Sequence, residues 1–450
     1  MRAQSGTARV HVIGAGLAGL AAAVRLSSAG RCVVLHEAAR HAGGRCRSYF
    51  DAELGCRIDN GNHLLLTGNH AALDYLEEIG ARDTLEGPRD AVFPFIDVAT
   101  GQRWVLRPNH GVVPWWIFAP GRRVPGTRAR DYLGALALPR ADPSATIAAV
   151  LDPRQRLFRL LWEPLVVAAL NTSAAQASAA LFGTILSQTL GRGGAACRPL
   201  VPRIGLSETF VDPALVRLRA RGAQLRFGAR LRALRFDATR ISELVFDGDS
   251  IRLGSADHVV LAVPAAVAAR LVPGLVVPDL YSPIVNAHFR RSLPQGTPLF
   301  VGVVGGAVEW IFRKREVLSV TVSAAERIVD RPREELRELF WRDVATAYGV
   351  ARDVVPPGQI VKERRATFLA SPEQLRRRPG SVTSWGNLLL AGDYVDTGLP
   401  ATIEGAIRSG FAAARYLIDA FGFHSSTAES NDTASPVVAA EQEQQRAFHE

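Results

Sequence analysis

The segment from Val10 to Arg45 constrains the fold of this chain more than any other part of the sequence. It begins with a short β-branched run, residues 10–13, which is typical of a buried parallel strand. The sequence Gly-Ala-Gly-Leu-Ala-Gly follows at Gly14–Gly19, and an Ala/Leu-rich helix is predicted after it. A second strand, Arg31–His36, ends at Glu37. This order of strand, glycine turn, helix, strand and acid predicts a dinucleotide-binding βαβ unit.

Each part of this unit has a physical task in holding a dinucleotide. Gly14 permits the tight turn, Gly16 lets the backbone approach a pyrophosphate, and Gly19 lets the helix pack closely on the sheet. Glu37 lies 18 residues after Gly19 and is able to accept hydrogen bonds from a ribose 2′-OH, which disfavours the 2′-phosphate of NADP. An ordinary βαβ unit with an empty crevice is the alternative. The predicted contacts are Gly14, Ala15, Gly16, Leu17, Ala18, Gly19, Glu37 and Ala38.

Two further segments resemble the amine-oxidase and phytoene-desaturase superfamily of flavoproteins. Gly43-Gly44-Arg45 is similar to the segment that follows the ribose acid in that superfamily, and the resemblance implies that it lies beside the phosphates of FAD. Gly61, Asn62 and His63 fall in a segment similar to the superfamily's D-x-G-x-H/T turn, which implies a position near the isoalloxazine. His63 is interpreted either as a contact of the flavin or the substrate, or as a histidine that satisfies loop carbonyls.

The C-terminal part of the sequence contains a second buried strand that ends at polar residues. Leu388–Leu390 are followed closely by Gly392 and Asp393, and a helix is predicted from about Thr402. Asp393 is placed to bond the ribityl chain, and the N-terminus of the helix to stabilise negative charge at flavin N1 and O2. We therefore predict FAD contacts from Gly392, Asp393, Thr402 and Ile403.

The predicted fold class is α/β, with a Rossmann-like FAD-binding domain of the amine-oxidase and phytoene-desaturase type and an interleaved α+β substrate domain. Residues 198–272 resemble the second FAD segment of the superfamily. They contain a predicted helix, a strand, a small β-meander and a last strand that ends in Val-x-Ala-x-Pro. The resemblance implies that Leu231 lies near the adenine. In the substrate domain, the amphipathic residues 332–348 predict a helix. The FAD-binding segments are predicted at 8–87, 198–272 and 384–423, the substrate segments at 88–197 and 273–383, and a disordered tail at 424–450.

Composition limits the partners of this chain. The formal charge of +10 comes from 53 basic and 43 acidic residues that are scattered along the sequence, and no nucleic-acid-binding motif is found. We therefore expect no nucleic acid partner. Attraction to an anionic membrane surface and the arginine preference of a GC-rich genome both account for the charge. The four cysteines form no CxxC and no zinc spacing, so free thiols in a reducing cytoplasm are expected. No cysteine lies near the C-terminal motif at Gly392 and Asp393, so non-covalent FAD is expected.

Any membrane attachment is expected to be peripheral, on the inner face of the cytoplasmic membrane. No uninterrupted apolar run has the length of a membrane span, and the dinucleotide motif accounts for the N-terminal apolar stretch that resembles a signal peptide. Bulky apolar residues at 112–120 are followed by Arg122, Arg123, Arg128 and Arg130. This pattern suits the membrane interface and the mouth of a lipid tunnel, and packing in the core of the substrate domain is the alternative.

A glutamate interrupts the apolar helix predicted at Arg156–Leu170. Leu, Trp and Val surround Glu163 in the sequence, and desolvation among them would raise its pKa enough for a general acid. Pairing with an arginine or capping of a backbone group is the alternative. Pro164 is predicted to kink or restart the helix, and the segment Asn171-Thr172-Ser173 to cap the next element.

Three longer motifs extend the resemblance: WEPL…AALNT at Trp162–Thr172, KERRATF at Lys362–Phe368 and AGDxxxTGLPATIEGAxRSG at Ala391–Gly410. With the N-terminal glycine motif, they are similar to the squalene-associated FAD-dependent desaturases, now understood as hydroxysqualene dehydroxylases of bacterial hopanoid synthesis. Asn62 departs from the glutamine expected in this family but keeps the amide. The resemblance implies that reduced FAD converts hydroxysqualene, a lipophilic isoprenoid, to squalene and water.

Such a reaction requires a proton donor, hydride from flavin N5 and exclusion of water from an allylic cation. The candidate donors are His63, Glu163 and Asp396, and their spacing does not choose among them. The first alternative is a carotenoid-type desaturase, which takes hydride from a polyisoprenoid. The second is an amine oxidase, for which the sequence indicates no lysine beside the flavin. The third is a prenyl-binding escort protein that has this fold and catalyses no reaction. Because no second nucleotide motif is found, an external reductase is expected to supply the electrons.

Overall fold

A parallel sheet joins distant parts of the chain. The computed structural model describes residues 8–294 and 296–429, with side chains described up to residue 420. Its inner strands and Leu388–Leu390 are mostly buried and apolar, whereas the edge strand Gln224–Phe227 is partly exposed. The interleaving predicted for a Rossmann-like domain is therefore present. The strand order is Gln224–Phe227, Cys32–Glu37, Arg9–Ile13, His258–Leu261 and Leu388–Leu390, and every pairing is parallel.

Two helices pack against each other beside the parallel sheet, Leu17–Ser28 and Ile403–Glu429. Small residues allow their backbones to approach, since a Cβ added at Gly410 would lie 2.2 Å from the carbonyl oxygen of Ala18. Together with the sheet they bury the apolar core of this part of the protein. The second helix extends six residues into the segment predicted to be disordered from 424, and residues 430–450 lie outside the described part of the chain.

The second large sheet has seven strands and is mixed. Phe300–Val304 pairs with Phe93–Asp97 in parallel, which requires a long crossover between them, and the other pairings are antiparallel. The helix predicted over 332–348 is present as Arg333–Tyr348, and it buries Leu336 and Phe340 against one face of the sheet. The strand order is Gly358–Phe368, Tyr281–Arg290, Val317–Val322, Trp310–Arg313, Phe300–Val304, Phe93–Asp97 and Arg103–Leu106.

Shorter elements complete the fold. The small sheets are Leu231–Asp237 with Arg240–Phe246 and Ser250–Arg252, Ser48–Asp51 with Cys56–Asp59, and Pro199–Pro202 between Leu65–Leu66 and Leu85–Glu86. The remaining helical segments are His70–Glu78, Arg82–Thr84, Trp115–Phe118, Pro120–Arg122, Ala129–Arg140, Ile147–Val150, Phe158–Trp162, Glu163–Leu170, Ala179–Gln188, Leu190–Arg192, Gly194–Cys197, Ser207–Val211, Asp212–Ala220, Ala265–Leu271, Ala325–Arg327 and Pro372–Arg376.

The helix around Pro164 shows why proline matters there. A π-helical turn, Phe158–Trp162, runs directly into the α-helix Glu163–Leu170, with Pro164 in its first turn. Proline has no N–H to donate, so a wider turn before it removes the clash that a regular helix would create. The helix ends at Asn171, which adopts the left-handed conformation with φ 48°. Asn171 therefore caps this helix rather than the next element, where Ser178 is the N-cap.

Within the described residues, none of the helices combines the length and the apolar character needed to cross a membrane.

Candidate functional site

Glycines shape the turn between the first parallel strand and its helix. Gly14 has φ +106°, and a Cβ added there would lie 2.3 Å from the carbonyl oxygen of Ala262. A Cβ at Gly19 would lie 1.9 Å from the carbonyl oxygen of Gly14. Only glycine fits at these two positions. At Gly16 an added Cβ meets no atom within 4 Å, so the backbone there faces open space. That space is where a pyrophosphate would approach the helix N-terminus.

The segment Gly43-Gly44-Arg45 lies directly beside this turn. The N–H of Gly43 donates to the carbonyl of Ala15 at 2.8 Å, and Gly43 forms an isolated parallel bridge with Gly16. Both glycines of the segment have positive φ, which favours glycine. Two backbone segments thus line the same space, as expected for a site that holds phosphates.

Glu37 ends the second parallel strand against the same turn. Its Oε2 accepts the N–H of Ala15 at 2.7 Å, and its Oε1 accepts the N–H of Ala39 at 2.8 Å. Each carboxylate oxygen retains a lone pair that could accept a ribose hydroxyl. The carbonyl of Glu37 also accepts the N–H of Ala229 at 2.9 Å, which brings the segment before the buried Leu231 close to the ribose position.

Some predicted contacts have side chains that point away from the site. Ala15, Leu17 and Ala18 are buried in the core between the helix and the sheet, so they have only backbone groups to offer a dinucleotide. Ala38 is exposed at the end of the strand that carries Glu37.

The C-terminal motif meets the N-terminal one through an ion pair. Arg45 and Asp393 lie 2.8 Å apart, from Nη2 to Oδ1, although they are separated by most of the sequence. The neighbouring carboxylate is the main cause that raises the pKa of Arg45. The N–H of Gly392 donates to Ser409 Oγ at 2.8 Å, and Thr402 Oγ1 accepts the N–H of Gly405 at 3.1 Å. Thr402 therefore caps the helix that begins at Ile403.

The segment around Asn62 connects this site to the mixed sheet. Asn62 Nδ2 donates to Thr321 Oγ1 at 3.0 Å, while Asn62 Oδ1 is buried without a hydrogen-bond partner among the described residues. A buried acceptor without a donor is a place where a polar ligand fits. Gly61 allows the backbone to approach Asn286, whose Nδ2 would lie 3.4 Å from an added Cβ.

His63 faces a small cavity that Asn62, Phe312 and Lys314 also line. Burial lowers the pKa of His63 to about 4, with Lys314 acting in the same direction and Asp59 against it. The imidazole is therefore neutral near pH 7. Lys314 forms an ion pair with the buried Asp59.

Two of the predicted proton donors lie in contact with solvent. Glu163 is exposed, so the desolvation predicted from its apolar neighbours in the helix does not occur. The neighbouring Trp162 is buried, so the two side chains lie on different faces of the helix. Asp396 has a side chain that is 60% exposed and lies 3.6 Å from Arg378 Nη1. His63, Glu163 and Asp396 are therefore not brought together in one cluster.

Sequence reasoning missed Glu309, which precedes the strand Trp310–Arg313. Its Oε2 accepts the N–H of Ser323 at 2.8 Å. Burial is the main cause that raises the pKa of Glu309 to about 8, the hydrogen bonds from Ser323 oppose it, and the charges of Glu163 and Glu326 add to it. A lone glutamate inside the apolar run Ala307–Phe312 is the sequence signal that could have found it.

The cradle formed by Gly14, Gly16, Gly43, Glu37 and Asp393 fits FAD, since it offers open backbone to a pyrophosphate and carboxylates to sugar hydroxyls. The protein belongs to the family described as flavin containing amine oxidoreductase, whose model matches residues 17–418. It is accordingly an oxidoreductase that uses FAD, as the sequence analysis predicted.

Within that family, its relatives narrow the assignment. The chain is 50% identical to the hydroxysqualene dehydroxylase of Rhodopseudomonas palustris over 412 residues, which is 91% of this chain and 98% of the relative. It is 50% identical to the hydroxysqualene dehydroxylase of Sinorhizobium fredii over 405 residues, 90% of this chain and 97% of the relative. The chain thus belongs with the hydroxysqualene dehydroxylases, and the predicted family is confirmed.

Solved structures confirm the predicted fold class. Cyclohexylamine oxidase from Brevibacterium oxydans has a TM-score of 0.69 at 16% identity, with 92% of this chain and 100% of that chain covered. A protoporphyrinogen oxidase from Exiguobacterium has a TM-score of 0.63 at 17% identity and covers 94% of this chain and 100% of its own.

Proposed function

We propose that this protein reduces hydroxysqualene to squalene and water with reduced FAD, as a step of squalene and hopanoid synthesis. The observation that carries the proposal is 50% identity to hydroxysqualene dehydroxylases along nearly the whole chain. The intact glycine turn supports it because a protein of this fold without chemistry would not need that turn. The distant similarity to a zeta-carotene desaturase, 22% identity, keeps the desaturase as the competing function.

In the proposed reaction a proton reaches the substrate hydroxyl, the C–O bond breaks, and water leaves with the electron pair. Bound FAD supplies the hydride that replaces the hydroxyl, so that atoms and charge balance. The chain would hold the dinucleotide through Glu37, Asp393 and the backbone at Gly16. Its other task is to exclude water, because water would capture an allylic cation before hydride does.

A cavity of about 280 Å³ has a mixed lining. Its apolar wall consists of Val150, Leu151, Phe158 and Trp162, and its polar groups come from Arg130, Asp131, Asp152 and Gln155. The isoprenoid substrate is therefore proposed from the identity to hydroxysqualene dehydroxylases and not from this lining.

An exposed apolar surface supports contact with a membrane as the source of this substrate. We define the membrane surface as Val112, Val113, Trp115, Phe118, Leu133 and Leu136, all of which are exposed. Residues 107–140 also contain six arginines and one aspartate, a formal charge of +5 out of +10 for the whole chain. Apolar side chains within a cationic segment complement an anionic bilayer. Gly134 lies between Leu133 and Leu136 and lines the cavity, so the surface borders its entrance.

The membrane contact is tested by sedimentation with vesicles of phosphatidylglycerol and of phosphatidylcholine. We expect binding to the anionic vesicles, and a loss of at least tenfold in Phe118→Ser. Phe50→Ser is the matched control, since Phe50 is 64% and Phe118 70% exposed and Phe50 lies outside the membrane surface. Equal binding of both variants would contradict this contact.

The reaction is tested anaerobically with the purified flavoprotein. We reduce the flavin, add hydroxysqualene, and follow flavin reoxidation and product mass. The proposal expects reoxidation matched by an equal amount of squalene. Bleaching of the oxidised flavin by squalene or phytoene would instead establish the desaturase. An external reductase is expected to be needed, so NADH or NADPH alone should leave the flavin oxidised, and reduction by either alone would contradict that part.

A further inference from the structure

One buried amide oxygen beside the flavin cradle lacks a hydrogen-bond donor. No described residue donates to Asn62 Oδ1. The segment that carries it is joined to the cradle by Asn60, whose N–H donates to the carbonyl of Arg47 at 2.9 Å and whose Nδ2 donates to the carbonyl of Arg45 at 3.3 Å. A buried acceptor without a partner is costly, so a ligand that donates a hydrogen bond to it gains affinity.

Three side chains determine which atom of the Asn62 amide is offered to a ligand. Asn286 Nδ2 donates to the carbonyl of Asn60 at 3.4 Å, so Asn286 Oδ1 is the atom that accepts the hydroxyl proton of Thr321, at 2.8 Å. Because this hydroxyl has only one proton, its oxygen can only accept from Asn62, whose Nδ2 lies 3.0 Å away. Asn62 therefore turns its nitrogen to Thr321 and offers its oxygen to a ligand.

The mixed sheet holds these hydrogen bonds in place. Asn286 and Thr321 are direct partners on neighbouring strands, and their exposed fractions are 2% and 8%. Reversal of the Asn62 amide would place its oxygen against the lone pairs of Thr321 Oγ1, because the proton of that hydroxyl is already used. The ligand of Asn62 must consequently be a hydrogen-bond donor, such as a hydroxyl group or an N–H group.

The small cavity beside Asn62 limits the size of this ligand. Its volume is about 10 Å³, roughly the room that one water-sized group needs. A hydroxyl group fits this space, and an isoalloxazine ring is far too large for it. Lys314 also lines the cavity, and Asp59 accepts one of its three N–H bonds. The others can donate to a hydroxyl oxygen, so the lining offers both an acceptor and a donor to an alcohol.

Apolar side chains complete this surrounding. Val201, Leu299 and Phe312 line the same cavity, and Val201 and Phe312 belong to the buried apolar core of the substrate domain. A polar end with apolar walls suits a hydroxyl group on a hydrocarbon chain better than a hydroxyl group on a sugar. The chemistry of the cavity therefore matches a lipophilic alcohol.

We propose that Asn62 Oδ1 accepts the hydroxyl proton of hydroxysqualene in this cavity, an inference that rests on the proposed dehydroxylation and describes how its substrate is recognised. The contact leaves the lone pairs of the hydroxyl oxygen available for the proton that converts it to water. Squalene has no hydroxyl group, so bound product leaves Oδ1 unpaired and binds more weakly. Asn62 thereby selects the alcohol substrate over the hydrocarbon product.

The test compares the binding of hydroxysqualene and of squalene to the oxidised holoenzyme, without oxygen and in the same detergent micelles. The oxidised flavin has no hydride to give, so hydroxysqualene is not reduced during the titration. Asn62→Leu keeps the branch at Cγ and removes the acceptor. It should weaken the binding of hydroxysqualene about tenfold relative to that of squalene, which is the contribution of a neutral hydrogen bond.

Asn69→Leu is the matched control. Asn69 is also a half-buried asparagine with one side-chain hydrogen bond, in which its Oδ1 accepts the N–H of Leu66 at 2.7 Å, and it does not line the cavity. The ratio of the two dissociation constants in Asn69→Leu should equal that of the wild type. Since the micelles are the same in every sample, a change in this ratio reports the protein and not the solubility of the lipids.

A second pair of variants keeps the test decisive if Asn62→Leu folds poorly. Thr321→Val removes the hydroxyl that orients the Asn62 amide, so it should also lower the preference for hydroxysqualene. Thr321→Ser retains that hydroxyl and should keep the wild-type ratio. A structural role of Thr321 alone would not separate the alcohol from the hydrocarbon, because both ligands would lose affinity together.

The outcomes separate this inference from the proposed function. An unchanged ratio in Asn62→Leu, or in Thr321→Val, would refute the hydroxyl contact. Weaker FAD binding or a shifted flavin spectrum in Asn62→Leu, with the ratio unchanged, would assign Oδ1 to an N–H group of the flavin instead. A reduced wild type that prefers the alcohol but forms no squalene would refute the dehydroxylation itself.

Discussion

The two sheets of this protein gather their polar groups in different ways. Beside the parallel sheet, the groups that fit FAD belong mostly to one short segment, from Gly14 to Arg45, and act largely through the backbone. Beside the mixed sheet, the side chains of Glu309 and Asn171 belong to a hydrogen-bonded cluster that joins four distant segments, around residues 171, 309, 323 and 367. A binding site for a common cofactor can therefore be local in sequence, whereas this cluster exists only in the folded chain.

The largest expected effect tests the local character of the cofactor site. Gly19→Ala should strongly destabilise the protein, because the new Cβ would lie 1.9 Å from the carbonyl oxygen of Gly14. We expect a loss of at least about 3 kcal/mol in the free energy of unfolding, at the upper end of overpacking. Chemical denaturation of the purified protein measures it.

Gly16→Ala is the matched control for that variant. Gly16 has an ordinary φ of −73°, and an added Cβ meets no atom within 4 Å, so the unfolding free energy of the protein without flavin should hardly change. The methyl group would still occupy the space in front of the helix N-terminus, and FAD should bind at least 100-fold more weakly. FAD binding at wild-type strength would mean that the pyrophosphate does not approach Gly16.

The same contrast explains what the sequence could predict. The turn at Gly14 and Gly19 was predictable because steric limits on the backbone leave glycine as the only choice, and such limits appear directly as residue types. The exposure of Glu163 was not predictable, because apolar neighbours in a helix do not say which face is buried. Asn171 was assigned to the wrong element for a related reason, since its partners lie at Ser282, Thr367 and Ala324.

A buried asparagine tests the tertiary character of the second cluster. Asn171→Ala removes hydrogen bonds to three segments, and it should cost about 1–3 kcal/mol because their partners remain buried. It should also slow the single turnover, since Asn171 holds Thr367, and the carbonyl of the adjacent Ala366 accepts Arg45, which pairs with Asp393. The measurements are chemical denaturation and flavin reoxidation by hydroxysqualene.

Asn109→Ala is the control for the position in the fold. Asn109 is also buried and also makes three hydrogen bonds, but all of them lie within one loop, to Gly111, Val113 and Trp116. Its variant should lose similar stability and keep the turnover rate. Equal slowing in both variants would indicate that general loosening, and not the cluster, limits the reaction.

The parallel sheet has a pH dependence of its own. His11 Nδ1 lies 3.1 Å from His36 Nε2 between neighbouring strands, and burial lowers the pKa of His36 to about 3 and also lowers that of His11. The unfolded chain takes up protons below about pH 6.5, while the folded chain does not, so this stability is present above pH 6.5 and is lost as the pH falls toward 3. For His36 the loss should approach about 1.4 kcal/mol per pH unit over this range, and the lowered pKa of His11 acts in the same direction.

Denaturation at pH 7 and pH 5 measures this effect. His36→Gln should reduce the difference between the two pH values, because glutamine has no proton to gain on unfolding. Equal stability of the wild type at both pH values would mean that the folded protein also takes up these protons. His11 and His36 would then not be buried between the strands.

The smallest expected effects compare two arginines that stack on aromatic rings. Arg25 lies 3.9 Å from the ring centre of Phe411 and pairs with Glu78 at 3.1 Å, beside the parallel sheet. Arg122 lies 4.6 Å from the ring centre of Trp115, within the cationic segment of the membrane surface. Arg25→Ala should cost about 1 kcal/mol of unfolding free energy, whereas Arg122→Ala should cost less than about 0.5 kcal/mol.

In binding to phosphatidylglycerol vesicles, Arg122→Ala should have the larger effect and Arg25→Ala the smaller one. One arginine near an anionic surface contributes about 1 kcal/mol, so Arg122→Ala should weaken vesicle binding about fivefold. Arg25→Ala should bind vesicles like the wild type, because its charge is engaged in the fold by Glu78. Equal weakening in both variants would mean that the net charge of the whole chain attracts the membrane. Weakening in Arg122→Ala alone would locate the attraction at the cavity entrance, where an apolar substrate must leave the bilayer.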